Sequence, residues 1–351
     1  MSTLQTTVET VLLRASMGLP ERVQRAILRK PVVIDGQTLA AETQMLLKLQ
    51  ELARQPELGV GMDPVQARPV TVTQAQMVAG KQPIGALREL VVDGADGPLA
   101  ARLYIPSSRV GADPVPTLMF IHGGGMALGD LDSHDGACRH LAEHSGVQVL
   151  AIDYRLAPEN PYPAGVDDCF AAYQWMVKNA DSINADPERL AVGGDSAGGL
   201  LSATTAIQVA EAGLPMAFQL LIYPAVDFTR RTRSKELFGG GGFFLSDEGM
   251  DRLTAWYFPD EARKSDPLGS PGHRTELPAG LAPAFVATAG FDPLRDEGEA
   301  YAELIRSHGI AVEVKRYPAM IHGFFNIVGV GRGCRANAAE IAGKLRAGLG
   351  G

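Results

Sequence analysis

The sequence predicts an α/β fold in which a mostly parallel sheet is covered by helices on both faces. Short apolar runs typical of buried strands recur from residue 87 onward, and helical patterns lie between most of them. Strands that alternate with helices form parallel sheets with both faces covered, and their functional residues gather beyond the strand ends. After an initial hairpin, the runs end at Ile121, Ile152, Val192, Ile222, Thr288 and Val314.

The first 55 residues follow a different, purely helical pattern. Apolar side chains at Val8, Val11 and Leu12 recur at helical spacing, and two similar groups follow them. Pro20 and the stretch 31–36 interrupt the pattern, which therefore predicts three helices. No polar cluster in this segment suggests chemistry.

Two later segments depart from the alternation of strands and helices. The apolar runs 87–92 and 100–105 flank a stretch rich in glycine and aspartate, which predicts a β-hairpin with a longer loop. Residues 227–272 contain four consecutive glycines and several aromatic side chains but no clear strand. This insertion is a candidate cap over the site, and the alternative is a pair of packing helices that never contacts substrate.

Charge, hydropathy and cysteine content narrow the class of protein. The net charge of −8 disfavours nucleic-acid binding, for which a basic face supplies most of the affinity. No run reaches the ~18 apolar residues of a membrane span, and no basic region of a secretory signal begins the chain. The three cysteines form no C-x-x-C pair, as expected for reduced thiols. We expect a cytoplasmic protein, with a homodimer left open.

The strongest functional motif is Gly194-Asp195-Ser196-Ala197-Gly198, which lies between a strand-like run and a helix-like run. In that context G-x-S-x-G forms a nucleophile elbow, a sharp turn that exposes the serine hydroxyl above the sheet. The flanking glycines let the turn close without side-chain clashes. We therefore predict Ser196 as the nucleophile and expect the Ala197 N–H to face developing negative charge.

A second motif, His122-Gly123-Gly124-Gly125, directly follows the apolar run 116–121. Acyl transfer needs backbone N–H groups preorganised around an oxyanion, and glycines let the backbone approach the substrate closely. A phosphate-binding loop is the alternative, but it requires G-x-x-x-x-G-K-[ST], and no lysine follows here. The motif also precedes the elbow, which is the order expected of an oxyanion loop.

The base that activates Ser196 must follow it in the chain, after the orienting acid. Three histidines lie downstream. His322 sits in a loop beyond a strand-like run, which is where a base is expected. His308 closes a predicted helix and His273 lies in a segment rich in proline and glycine, where it is expected to be solvated. His322 is the predicted base.

The orienting acid is expected at a strand end as well. Asp292 directly follows the strand-like run 284–290, where its carboxylate can accept the imidazole N–H and fix the tautomer. Asp296 and Glu297 are competitors within one turn. Both are better explained as residues of the first turn of a helix, where the helix dipole favours negative charge.

Two further patterns resemble cofactor sites without matching them. His140 and His144 share a helix face, but the residues between them do not give the H-E-x-x-H order of zinc proteases. An exposed helical face is the expected explanation for this pair. The stretch 329–333 lacks the G-x-G-x-x-G spacing of a dinucleotide site. We expect neither a metal nor a dinucleotide.

Together these motifs resemble those of the hormone-sensitive-lipase-like (family IV) carboxylesterases, bacterial α/β hydrolases. The similarity spans about residues 85–330 in family order, and it includes the segments 153–159, 292–298 and 322–324. Met126 is a departure, because members often carry an aromatic residue there. This departure leaves the shape of the acyl pocket open.

The resemblance implies an eight-stranded, mostly parallel α/β-hydrolase sheet with helices on both faces and a helical cap. The implied division is an N-terminal cap segment at 1–60, a first catalytic part at 61–225, a cap insertion at 226–272 and a second catalytic part at 273–351. It also implies hydrolysis of short- to medium-chain acyl esters without any cofactor. The implied catalytic residues are Ser196, Asp292 and His322, and the implied oxyanion donors are Gly123, Gly124 and Ala197, with Gly125 able to replace one of the loop pair.

Other functions use the same scaffold. An amidase or an acyltransferase would need the same triad, because the walls of the pocket decide the leaving group and the acceptor. Plant gibberellin receptors resemble the family but have lost the histidine of the triad. Since His322 is present beside an intact elbow, a ligand-binding role without catalysis is the weaker alternative.

Overall fold

The computed structural model describes residues 3–61 and 63–351, and the first part of the chain is helical. Its described helices are α1 (Thr3–Met17), α2 (Glu21–Leu28), α3 (Ala41–Leu52) and α4 (Pro64–Ala79). The three helices predicted within the first 55 residues are confirmed, and Pro20 stands immediately before α2. A small hairpin of β1 (Val33–Ile34) and β2 (Gln37–Thr38) occupies the break before α3.

Helix α4 lies beyond residue 60, the predicted end of the N-terminal cap segment. Its start is specified locally, because the Asp63 side chain accepts the Val65 N–H at 3.0 Å and Pro64 occupies the first turn. From α4, the Arg68 Nε donates to the Ala127 carbonyl oxygen at 3.0 Å. This bond ties the helix to the segment that follows the glycine motif.

The remainder of the chain forms the predicted sheet. Its strands are β3 (Ala86–Gly94), β4 (Gly97–Ile105), β5 (Val115–Ile121), β6 (Gln148–Ile152), β7 (Ala185–Asp195), β8 (Phe218–Ile222), β9 (Ala284–Phe291) and β10 (Val312–Ile321). They pair in the order β10-β9-β8-β7-β5-β6-β4-β3. The pairs β3–β4 and β4–β6 are antiparallel, and the other pairs are parallel. The eight-stranded, mostly parallel sheet is thus confirmed.

Helices cover both faces of this sheet. Those packed on its strands are α5 (Asp135–Ser145), α6 (Ala164–Lys178), α7 (Ala197–Glu211), α10 (Arg295–Ser307) and α11 (Gly333–Gly348), whereas α8 (Arg233–Phe238) and α9 (Asp247–Tyr257) lie in the insertion between β8 and β9. The central strand β5 is buried along its whole length. Leu118 and Phe120 pack in one core, whereas Met119 and Ile121 pack in another. Side chains alternate along a strand, so β5 supplies both cores and is held rigidly between them.

Two irregular segments differ in how closely they follow the prediction. Between β8 and β9, the described residues 227–272 form α8, α9 and short 3-10 turns without a strand, as expected for the insertion. The hairpin of β3 and β4 has a tighter loop than predicted, because pairing continues to Gly94 and Gly97. Of the described helices, none combines the length and the hydropathy needed to cross a membrane.

The expectation of an exposed face at His140 is wrong. Helix α11 packs against α5 and leaves only 1% of His140 exposed, with its ring stacked on that of His144 at a centroid distance of 3.8 Å. Burial, and then the nearby His144 and Arg335, lower the pKa of His140 from 6.5 to about 4. The buried imidazole is therefore neutral when the protein is folded near neutral pH.

The His140→Phe substitution is expected to reduce the sensitivity of folding to acid. Between pH 6.5 and about 4, His140 binds a proton in the unfolded chain but not in the folded one, so stability falls as the pH falls through this window. Phenylalanine cannot bind this proton. At about pH 5 the variant should therefore lose about 1–2 kcal/mol less of its free energy of unfolding than the wild type does. Urea unfolding of both proteins at pH 7 and pH 5 measures the difference. An unchanged dependence on pH would contradict the assignment.

Candidate active site

The serine of the elbow stands in a strained turn between β7 and α7. Its backbone has φ 56° and ψ −120°, which is unusual for a residue with a side chain. A Cβ atom on Gly194 or Gly198 would lie 2.1 or 1.9 Å from the Ile121 carbonyl oxygen. The Ser196 N–H donates to the Ile222 carbonyl oxygen at 2.9 Å. Only glycines therefore allow the elbow to pack against the neighbouring strand.

The three residues predicted as a triad meet above the ends of the strands. The Oγ of Ser196 lies 2.9 Å from the Nε2 of His322, and the Nδ1 of His322 lies 2.8 Å from the Oδ2 of Asp292. His322 follows β10 and Asp292 follows β9, and they are 2% and 0% exposed. A carboxylate accepts but does not donate, so Nδ1 carries the proton and Nε2 is free to accept one.

The competing carboxylates are occupied elsewhere. Asp296 accepts the Ser234 N–H at 2.8 Å and pairs with Arg295. Glu297 lies 2.6 Å from the Nζ of Lys235 and accepts backbone N–H groups at the start of the insertion after β8. Burial, only partly offset by Lys235 and those N–H groups, raises the pKa of Glu297 to about 7. Both carboxylates thus anchor the insertion to the first turn of α10.

The other two downstream histidines have separate partners. His308 is the C-cap residue of α10, as predicted. The Nε2 of His273 lies 3.1 Å from the Oδ1 of the buried Asp227 and 2.7 Å from the Oγ1 of Thr229. His273 is therefore partly buried and hydrogen-bonded rather than solvated, because the insertion folds back over it.

The amides of the glycine loop that lack a protein acceptor differ from the oxyanion donors that the family resemblance implies. The Gly123 N–H donates to the Oδ1 of Asp195 at 3.0 Å and is therefore engaged. Within the described residues, no protein acceptor binds the N–H groups of Gly124, Gly125 or Ala197. Gly124 has φ 118°, and a Cβ atom there would lie 2.1 Å from the Leu128 carbonyl oxygen. The loop conformation thus depends on the absence of a side chain.

The first residue of the glycine motif supports the loop from below. The His122 ring stacks on Tyr154 at a centroid distance of 4.5 Å, and its Nδ1 lies 2.8 Å from the Gly123 carbonyl oxygen. Burial and the nearby His134 lower the pKa of His122 to about 4. A neutral His122 with its proton on Nδ1 donates to that carbonyl and fixes the turn.

Two cavities meet at Ser196. One, of about 160 Å³, has mostly apolar walls, to which Leu46, Val70 and Phe244 contribute. The other, of about 290 Å³, is more polar, and charged residues such as Arg230 line it. Ser196 thus lies between an apolar and a polar compartment. The parts of the chain that the structure describes contain no cluster of three or more histidine, cysteine or acidic side chains able to hold a metal ion.

Sequence reasoning overlooked one buried polar cluster at this site. It consists of Asp195, His134 and Asn326, which line the apolar cavity beside the glycine loop. Only Asp195 lies inside a recognised motif, at its variable position. No local pattern marks the other two as partners, since they lie 61 residues before and 131 residues after it.

Comparisons with known proteins show which sequences and folds the chain resembles. A family model described as alpha/beta hydrolase fold matches residues 118–326. The chain is similar to the carboxylic ester hydrolase LipN of Mycobacterium tuberculosis, with 41% identity over 99% of this chain and 93% of that protein. The carboxylesterase NlhH of the same species is 40% identical, over 73% of this chain and 82% of its own.

Solved structures of esterases superpose on the chain. An ester hydrolase from the metagenome of Lake Arreo, complexed with a bipyridine phosphonate derivative, has a TM-score of 0.83 at 39% identity. The superposition covers 89% of this chain and all 100% of that one. The esterase of Pyrobaculum calidifontis has a TM-score of 0.81 at 34% identity and covers 88% and 98% of the two chains.

Proposed function

Since the chain belongs to the hormone-sensitive-lipase-like carboxylesterases of the α/β-hydrolase fold, we propose that it hydrolyses short- to medium-chain acyl esters through an acyl-enzyme on Ser196. The observation that carries this proposal is the continuous hydrogen-bonded series from the Ser196 Oγ through His322 to Asp292. A serine paired with a base that a buried acid orients is the arrangement of an activated nucleophile.

In the proposed reaction, the Ser196 Oγ attacks the ester carbonyl carbon while His322 Nε2 takes its proton. His322 then returns that proton to the leaving alcohol as the tetrahedral intermediate collapses to the acyl-enzyme. A water molecule, activated by His322 in the same way, attacks the acyl carbon and releases the acid. Asp292 stabilises the imidazolium and holds the tautomer in both steps.

We propose Gly124, Gly125 and Ala197 as the donors to the oxyanion, with Gly125 in place of the implied Gly123. The reason is that Asp195 already accepts the Gly123 N–H. The three other amides have no protein acceptor in the described parts of the chain. They flank Ser196 at the N-terminus of α7 and in the loop after β5, and free amides at such positions stabilise the oxyanion.

The cap segments account for the proposed substrate range. Leu46 and Leu58 from the segment 1–60 and Phe244 from the insertion 226–272 line the apolar cavity. Val70, on α4 outside both segments, lines it too. We therefore propose that these three elements together close the acyl side of the site. An apolar compartment of limited volume suits a short or medium aliphatic chain and excludes a long one.

A panel of p-nitrophenyl esters of increasing acyl length tests this proposal. We expect kcat/KM to peak at a short or medium chain and to fall once the chain exceeds the apolar cavity. Val70→Trp, which narrows only that cavity, should shift the optimum to shorter chains while leaving the acetate ester unaffected. A maximum at long chains with activation at a lipid interface would replace the carboxylesterase assignment by that of a true lipase.

A further inference from the structure

The carboxylate of Asp195 is the centre of a buried hydrogen-bond network beside the nucleophile. Its Oδ1 accepts the Gly123 N–H at 3.0 Å and lies 3.2 Å from the Nε2 of His134. Its Oδ2 accepts from the Nδ2 of Asn326 at 2.9 Å and from the Tyr223 hydroxyl at 3.4 Å. Because only 2% of Asp195 is exposed, protein groups rather than bulk water satisfy this carboxylate.

The network holds Asp195 in its charged form. Burial opposes ionisation, but His134, the Asn326 amide and the Gly123 N–H together outweigh it and lower the pKa of Asp195. A carboxylate has no proton to donate, so any hydrogen in its 3.2 Å contact with His134 belongs to the Nε2 of the imidazole. A negative charge beside a developing oxyanion would by itself slow the reaction, and the surrounding donors offset that cost.

The carboxylate therefore acts by holding the glycine loop in position. Asp195 is the residue before the nucleophile, and its bond to Gly123 joins the elbow after β7 directly to the loop after β5. A Cβ atom on Gly123 would lie 2.7 Å from the Asp195 carbonyl oxygen and 2.8 Å from its Oδ2. The Gly123 amide is fixed in this way, whereas the next two amides of the loop have no protein acceptor among the described residues.

We propose that Asp195 is a positioning residue, which sets the oxyanion loop against the nucleophile, and that His134 and Asn326 hold its carboxylate in place. The inference rests on the proposed acyl-enzyme mechanism and names the contact that keeps the oxyanion site preorganised. Preorganised donors stabilise a transition state without further reorganisation, so a loose loop should lower kcat while KM stays nearly constant.

The test compares an oxyanion-forming inhibitor with one that cannot form an oxyanion. In an alkyl trifluoromethyl ketone, the Ser196 Oγ bonds to the carbonyl carbon, its proton moves to His322, and the carbonyl oxygen becomes the oxyanion. The matching secondary alcohol fills the same cavity without that step. We expect Asp195→Ala to weaken binding of the ketone and to lower kcat by about 100-fold each, with alcohol binding nearly unchanged.

Two further variants should lower ketone affinity and kcat by smaller amounts. Asp195→Asn retains an acceptor for the Gly123 N–H but turns an amide donor toward Asn326. We therefore expect ketone affinity and kcat to fall by about 10-fold each. Asn326→Ala removes one donor to Asp195 and should lower ketone affinity and kcat by less than Asp195→Asn does. The matched control is Asp168→Asn, since Asp168 is also an aspartate with 0% exposure but pairs with Arg155 at 2.8 Å, away from the loop.

The outcomes separate this inference from the mechanism on which it rests. If the folded Asp195 variants bind the ketone as wild type does, or lose ketone and alcohol affinity alike, the positioning role is wrong. If wild type binds the ketone no better than the alcohol and Ser196→Ala retains turnover, the acyl-enzyme mechanism itself fails. Selective loss of ketone affinity in the Asp195 variants, absent in Asp168→Asn, supports the positioning role.

Discussion

Replacing Ser196 by alanine is expected to lower kcat for p-nitrophenyl butyrate by about 10⁵-fold or more, with little change in KM. In the proposed mechanism the Ser196 hydroxyl is the only group of the triad that forms a bond to the substrate, so its removal leaves no route to the acyl-enzyme. The residual rate above water should come from the oxyanion donors and from binding alone. Steady-state rates of purified protein, with loss of the initial burst of p-nitrophenol, measure the effect.

The matched control for this variant is Ser202→Ala. Ser202 is a buried serine of α7, the helix that begins directly after Ser196, and its hydroxyl donates to the Gly198 carbonyl oxygen at 2.7 Å rather than to His322. We expect this variant to keep ester turnover within a few-fold of wild type. If Ser196→Ala retained wild-type turnover instead, a non-catalytic binding role for this cleft or another nucleophile would have to replace the proposal.

The Asp292→Asn variant is expected to lower kcat by about 10⁴-fold near neutral pH. An asparagine can turn its NH₂ group toward His322 Nδ1 and so favour the tautomer that carries its proton on Nε2. That tautomer cannot accept the proton of Ser196, although the side chains keep their places. Steady-state kinetics together with circular dichroism would separate this effect from a loss of folding.

Asp296→Asn is the matched control for the orienting acid. Asp296 lies only four residues further along the chain, but it is bound to the Ser234 N–H and to Arg295 at the base of the insertion. We expect a modest loss of stability and a kcat within a few-fold of wild type. A large loss of kcat in Asp296→Asn with a nearly normal Asp292→Asn would identify Asp296 as the acid instead.

The features that the sequence predicted most securely are those carried by neighbouring residues. Apolar periodicity predicted the N-terminal helices and the central strands, because each element depends mainly on the spacing of its own side chains. The elbow around Ser196 could also be predicted from the sequence, since a strand, a tight turn with glycines and a helix follow one another directly. Strand-end placement predicted His322 and Asp292, and the structure places both within hydrogen-bond distance of each other.

Tertiary structure decided whatever depends on residues far apart in the chain. Three consecutive glycines look equivalent in sequence, and only Asp195, 72 residues later, shows that the Gly123 amide is already engaged. The prediction that His140 is exposed was wrong for the same reason, because α11, which lies almost 200 residues later in the chain, packs against α5. Local spacing specifies which side of an element is apolar, but packing between distant elements determines which polar groups meet. By itself, then, the sequence determined the sheet, the elbow and the identity of its serine, whereas folding decided which amide of the glycine loop is engaged and which have no protein acceptor among the described residues.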